Sequence, residues 1–350
     1  MPKTVIVGLG NTGTNNVKEI NKRNIPNLDL YVIDSQTNIS MDESIDITCI
    51  PIMIDDETGS GRIRDVGREL YDQHEKAGTF EKMYEAIKES RTPVFPITSS
   101  SGGTGSGSVV GLCQFCIQND IPVVPIIVFP AKSDPANYHL NTNDLLCELN
   151  EIGITTYMAF ENEDHSSDYD DINKSIADAI SVLVGTYYKE TKDDTIDDRD
   201  RSQLLANEGR LMVITAKGRD IETLKCNINS NLHHCHQPLW GEMMNTSMVM
   251  FGCSLEGMMA GKFASDVFSV ITGMFENCFD IYKHIMPNDS GDYTCTIIIS
   301  GLKNNETKEI CSEYDEIEKI GSGLKKSVRP TFRKKAGINK ARAGKGWTFT

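Results

Sequence analysis

Residues 99–108 read Ser-Ser-Ser-Gly-Gly-Thr-Gly-Ser-Gly-Ser, four glycines set among hydroxyl side chains without a single charge. Glycine has no Cβ, so backbone built from it can come up against a ligand. Free N–H groups at such a turn, joined by those of a following helical turn, form a positive concavity that suits phosphate. Gly102, Gly103, Thr104, Gly105, Ser106 and Gly107 are therefore candidates for a phosphate cradle. The familiar triphosphate loop, G-x-x-x-x-G-K-[ST], needs a lysine that this stretch lacks. Two further stretches suit similar work. Gly8-Leu9-Gly10-Asn11-Thr12-Gly13 follows a β-branched run and matches G-x-G-x-x-G, the pattern of dinucleotide-binding turns. Asp55 to Arg62 holds Gly59, Ser60, Gly61 and a cation.

Elements on either side must position these turns. Thr4–Val7 reads as a strand and 15–24 as the helix after it. Leu30–Asp34 is a second strand, ending in an acid that a dinucleotide fold would place on a ribose. A third apolar run, 49–54, precedes the Gly59–Arg62 turn, and 63–90 is helical with a break at Gly78. Val94–Thr98 is the strand that feeds the serine–glycine stretch, and a helix is expected from Val109. Strand 121–129, helix 143–152 and strand 155–160 follow. Ile172, Ile176, Ala179, Ile180 and Leu183 then keep helical spacing through 171–188. Such alternation argues an α/β fold, a parallel sheet with helices on both faces and its ligand crevice beyond the C-terminal strand ends. Three phosphate-type turns fit a nucleoside triphosphate better than the single pyrophosphate turn of a nicotinamide enzyme. An NAD-dependent Rossmann enzyme stays open as the alternative.

With 350 residues the prior is about two domains. No apolar run approaches the roughly 18 residues of a membrane span, and Val5-Ile6-Val7 is followed directly by glycines rather than by a signal-peptide pattern. The expectation is a cytoplasmic protein with no membrane partner. The ten cysteines are scattered through apolar patterns, and Cys113-x-x-Cys116 reads as core. His233-His234-Cys235-His236 has the residue types of a metal site, but adjacent residues do not all point at one ion. The metal ligands stay unassigned. The net charge of −15 conceals an asymmetry, because Lys325 to Lys345 holds nine of the 35 basic residues and no acid. The remainder sets 26 basic against 50 acidic residues, a formal −24. Such a body repels nucleic acid, so any contact of that kind runs through the tail.

Gly102-Gly103-Thr104-Gly105-Ser106-Gly107 resembles the GGGTG[ST]G signature of the tubulin/FtsZ superfamily, with Ser101 where the first glycine usually stands. The resemblance implies a Rossmann-like GTPase domain over 1–188, ending in a central helix. A catalytic loop and following helix would cover 189–210, a smaller α+β domain 211–303, a C-terminal helix 304–323 and a basic tail 324–350. It also implies a guanine-nucleotide site with GTP or GDP as ligand and Mg²⁺ brought by the triphosphate. Gly10, Asn11, Thr12 and Asn15 match the first nucleotide loop, Asp34 the second, and Gly59, Ser60 and Gly61 the third. Asn162 matches the asparagine that contacts the nucleoside, and Asn15 and Asn173 those that read guanine. An amide offers the donor and acceptor that a guanine edge requires. Taken singly, each of the last two also reads as a helix-start residue.

In the superfamily, acids after the central helix enter the next subunit's nucleotide pocket. Aligning Gly209–Met212 with a small-residue helical segment places Asp197 and Asp200 there, with Asp198 the alternative to Asp197 because Thr195 replaces an asparagine. The implied activity is a GTPase that polymerises head to tail and hydrolyses at the subunit interface. The basic tail is similar to that of TubZ-like plasmid and phage partition GTPases, which implies a DNA-binding adaptor at a centromere. An FtsZ-like division scaffold is the alternative role.

Overall fold

Strand β1 (Thr4–Leu9) is buried along its whole length. Its apolar residues face both ways, as a central strand covered by helices on two sides requires. The computed structural model describes residues 3–35, 46–53, 59–90, 92–162, 170–188, 208–234 and 293–302, with isolated positions at 205, 265, 266 and 269. To one side of β1 lie β2 (Leu28–Asp34) and then β3 (Ile47–Pro51). To the other lie β4 (Phe95–Ser99), β5 (Ile126–Phe129), β6 (Thr156–Glu161), β7 (Gly209–Gly218) and β8 (Tyr293–Leu302). Every pairing is parallel except that of β7 with β8. The described helices are α1 (Gly10–Lys22), α2 (Arg64–Lys76), α3 (Glu81–Glu89), α4 (Thr104–Gln118), α5 (Ala136–Glu151), α6 (Asp170–Tyr188) and α7 (Ile221–His234).

Strand alternation sends β1 side chains into two cores. Ile6 packs with Val17 and Ile20 of α1 and with Ile172, Ile176, Ile180 and Leu183 of α6. Val5, Val7 and Leu9 pack on the other face with α2, α3, α4 and α5, through Leu70, Met83, Leu112 and Leu149 among others. Cys113 and Cys116 are buried in this second core. Burial pushes the Cys116 thiol up to about 12 and raises that of Cys113 as well, so both serve packing rather than thiolate chemistry.

Several boundaries differ from expectation. Helix α1 starts at Gly10, directly on the end of β1, so most of the expected glycine loop is the first turn of a helix. Gly10 makes this abrupt switch at φ 70°, a conformation glycine adopts without a Cβ penalty. The second half of the serine–glycine stretch is likewise helical from Thr104. Helix α5 begins at Ala136, right after Pro135, seven residues before the expected start at 143. Pro122 and Pro125 reduce the expected strand 121–129 to Ile126–Phe129, with an isolated bridge between Val94 and Val123. The break at Gly78 lies where expected, between α2 and α3.

Gly209–Met212 needs a correction of another kind. It lies in strand β7, paired with β6 from Thr156–Gly209 onward. Its alignment with a helical segment does not hold, and the register of Asp197 and Asp200 loses that support. The β-branched Val213-Ile214-Thr215 run and its partners in β8 favour extended backbone here. Strands β7 and β8 continue the sheet of the first six strands. No described helix is long and apolar enough to cross a membrane.

Candidate functional site

The order β3-β2-β1-β4-β5-β6 reverses direction between β1 and β4. Loops leaving β1 and β4 turn to opposite faces and open a crevice beyond the C-terminal strand ends. A cavity of about 560 Å³ lies there.

Fourteen of the expected nucleotide-site residues line it: Gly10, Asn11, Thr12 and Asn15 from α1; Asp34 from the end of β2; Gly59, Ser60 and Gly61 from the turn before α2; Gly102, Gly103, Thr104 and Gly105 at the start of α4; Asn162 after β6; and Asn173 in the first turn of α6. The first N–H groups of a helix have no partner within it, and those of α4 begin against this cavity. Ser106 and Gly107 are absent from the wall. Ser106 turns back to donate its hydroxyl to Gly102 O. The N–H of Gly107 is spent on Gly103 O at 3.0 Å, and a Cβ there would press on backbone of Arg64 and Arg68 in α2. Gly107 serves helix packing instead of a ligand.

A chain of hydroxyls joins three of the turns. Thr104 Oγ1 donates to Ser60 Oγ at 3.0 Å. Having one proton, it must accept from Ser35 Oγ, 2.7 Å away. Close backbone contact joins the turns as well. A Cβ on Gly103 would collide with Ser60 and the Arg62–Ile63 peptide, and one on Gly105 with Leu9 O and Thr98 Oγ1. Gly102 differs, since its nearest neighbour to an added Cβ would be Ser99 O at 4.0 Å. Nothing among the described residues requires a glycine there, and Gly102 lines the cavity.

Polar groups of the wall show what could fill that space. Asn162 Oδ1 is buried and has no hydrogen-bond partner among the described residues. A buried acceptor without a donor is costly, and a ligand N–H or O–H would satisfy it. Asp34 is buried and accepts from Thr14 Oγ1 at 3.4 Å. Asn15 and Asn173 face the cavity from α1 and α6, which pack against each other on one side of the sheet.

In the sequence Arg62 is only a cation in a turn, and nothing local marks its surroundings. Arg62 and Tyr138 share the wall with Asp134. Beneath them Arg64, buried in α2, donates Nη2 to Glu148 Oε2 of α5 at 2.8 Å and to Ser106 O at 3.2 Å. Arg68 donates to the same Glu148 oxygen. Burial works against the Glu148 charge, but hydrogen bonds from Arg68 and Arg64 outweigh it and hold the carboxyl below its usual range. This cluster fixes the turn before α2 relative to α4 and α5. Its members lie some 80 residues apart in the chain, so no local motif announces it.

Asp197, Asp198, Asp200, Cys235, His236 and the tail Lys325–Lys345 lie outside the described residues. Among the described residues no group of three or more His, Cys, Asp or Glu could hold a metal ion.

Solved structures share this fold. CetZ2 from Haloferax volcanii, a GTPγS-bound protofilament, matches with a TM-score of 0.74 at 15% identity, over 91% of this chain and 99% of that one. An FtsZ dimer from M. jannaschii matches with a TM-score of 0.71 at 17% identity, over 89% and 91%. TubZ from Bacillus thuringiensis serovar israelensis, a GTPγS-form protofilament, matches with a TM-score of 0.68 at 14% identity, over 92% and 94%. No protein-family model matches the chain, and no curated protein matches it in sequence. The chain has the fold of the tubulin/FtsZ superfamily.

Proposed function

We propose that the cavity binds GTP or GDP and that the chain is a GTPase that assembles head to tail into filaments. The observation that carries this reading is convergence. Phosphate-type turns from three strand ends and the amides of Asn15, Asn162 and Asn173 meet on one cavity. Gly102–Gly105 would hold phosphates on backbone N–H groups at the start of α4. Asn15 and Asn173 would read the base, and Asn162 would supply an acceptor to the nucleoside. Mg²⁺ would arrive on the phosphates, with Asp34 the buried carboxylate of the wall. Bound there, it would offset phosphate charge during transfer.

Hydrolysis in this reading needs a second subunit. Asp197 and Asp200 would enter the cavity of the next copy and orient the attacking water. The solved relatives described as protofilaments support longitudinal self-assembly. The domain divisions at 188, 210, 303 and 323 belong to the same reading, as does a cytoplasmic location. Its finer part is a TubZ-like role in plasmid or phage DNA segregation, supported by the contrast between an acidic body and a tail with nine cations. That tail would dock on a DNA-binding adaptor.

Light scattering with GTP, GDP and ATP, followed by electron microscopy, tests the assembly. GTP alone should give filaments, and phosphate release per subunit should rise with protein concentration. Asp200→Ala should assemble and hydrolyse poorly. Equal hydrolysis by dilute monomer and polymer would contradict the shared site, and tight NAD binding without GTP binding would replace the reading. Removing residues after Gly323 should abolish adaptor or DNA contact and spare hydrolysis. Loss of a membrane-anchor interaction instead would favour an FtsZ-like division scaffold.

A further inference from the structure

Among the described residues, the cavity wall carries two carboxylates, Asp34 and Asp134, and one cation, Arg62. The Arg62 guanidinium lies over the ring of Tyr138, 4.8 Å from its centroid. Its backbone is at φ 63°, where a residue with a Cβ is disfavoured. The fold therefore holds it there. Asn141 Nδ2 donates to both Arg62 O at 3.3 Å and Ser101 O at 3.0 Å, tying the turn that bears Arg62 to the serine–glycine turn.

The position of Arg62 along the cavity follows from the two faces of the sheet. Asn15 and Asn173 stand on the α1/α6 side, whereas α2, α4 and α5 cover the other. A nucleotide with its base at the two asparagines and its phosphates over Gly102–Gly105 runs across the end of the sheet. Its outer end then reaches the Arg62–Tyr138 pair. A third phosphate brings added negative charge to a wall that already holds two acids, and the glycine-rich stretch has no lysine to answer it. A guanidinium answers it well, because its planar fork matches two phosphate oxygens at once.

We propose that Arg62 is the specificity residue that distinguishes nucleoside triphosphate from diphosphate, leaving the face of Tyr138 for the outermost phosphate. This rests on the guanine-nucleotide reading above. Arg62→Gly tests it without endangering the fold, since glycine is at ease at this φ. Thermal melting should show Arg62→Gly as stable as the native chain. GTPγS affinity should fall about tenfold or more, while GDP affinity stays within about twofold. Arg62→Lys should recover part of the loss, as a point charge without the fork. An unchanged ratio of GTPγS to GDP affinity in Arg62→Gly overturns the proposal and leaves nucleotide binding standing. A native chain that binds neither nucleotide overturns both.

Discussion

Among the described residues of the cavity wall, Asn162 and Gly102 each leave room for a ligand beside them. A buried amide oxygen with no donor is a standing cost of about 1–3 kcal/mol, and Asn162 Oδ1 at the cavity wall has none among the described residues. Asn162→Leu should leave the ligand-free melting temperature equal or higher while GTP affinity falls about tenfold, the worth of one such hydrogen bond. Calorimetric titration beside a thermal melt measures both. A drop in both stability and affinity would mean that the amide serves the fold. Gly102 permits a similar separation of roles. Its φ is not in the left-handed region and an added Cβ meets nothing closer than 4.0 Å, so Gly102→Ala should melt like the native chain and bind GTP more weakly.

Helix α4 couples the cavity to the second core, and its glycines divide between those two tasks. A Cβ on Gly107 would press on backbone of α2, and one on Gly111 would lie 2.5 Å from the ring of Tyr71. Gly107→Ala should therefore cost about 1–3 kcal/mol by overpacking, the reverse of the Gly102→Ala pattern. Comparing melts and GTP titrations of the two variants checks it.

The Arg64–Glu148–Arg68 cluster makes the second element-scale prediction. Glu148→Gln leaves the buried Arg64 cation without its counter-charge. The cost should be about 2 kcal/mol, below that of a fully buried pair because Glu148 and Arg68 are partly exposed. The folded carboxyl has a lowered pKa. Its contribution is therefore complete above the unfolded value near 4.5 and lost as the pH falls through the lowered folded value. Denaturation curves of native and Glu148→Gln protein should differ at neutral pH and converge in acid.

Most strands were legible in the sequence, because β-branched runs between glycines carry their own signal. Helix starts at the site were less so. The first two turns of α5, Ala136–Asn143, bury only Thr142 and thus show no apolar periodicity. Tyr138 and Asn141 there face the site instead of a core. Gly10–Gly13 looks like a loop because glycine is usually read that way, yet it forms helix. The glycine motif placed Gly102–Gly105 on the cavity wall, but could not say that Gly107 serves packing. That depends on α2, whose approach to α4 is a tertiary fact.

At the scale of the whole molecule, the sheet is the boundary between two cores that have no member in common among the described residues. Helices α1 and α6 belong to one, and α2 to α5 to the other. The cavity is where a single small molecule can touch both, spanning Asn173 of α6 and Tyr138 of α5 around the end of the strands. A ligand seated there acts as a rivet through a laminate. It should slow opening of both layers at once, and at a hundred times its Kd it should add about 2.7 kcal/mol to global stability. Amide hydrogen exchange with saturating GTPγS checks this. Protection should rise together in the first turns of α5 and α6, and a gain confined to one layer would mean that the nucleotide grips only one side of the sheet.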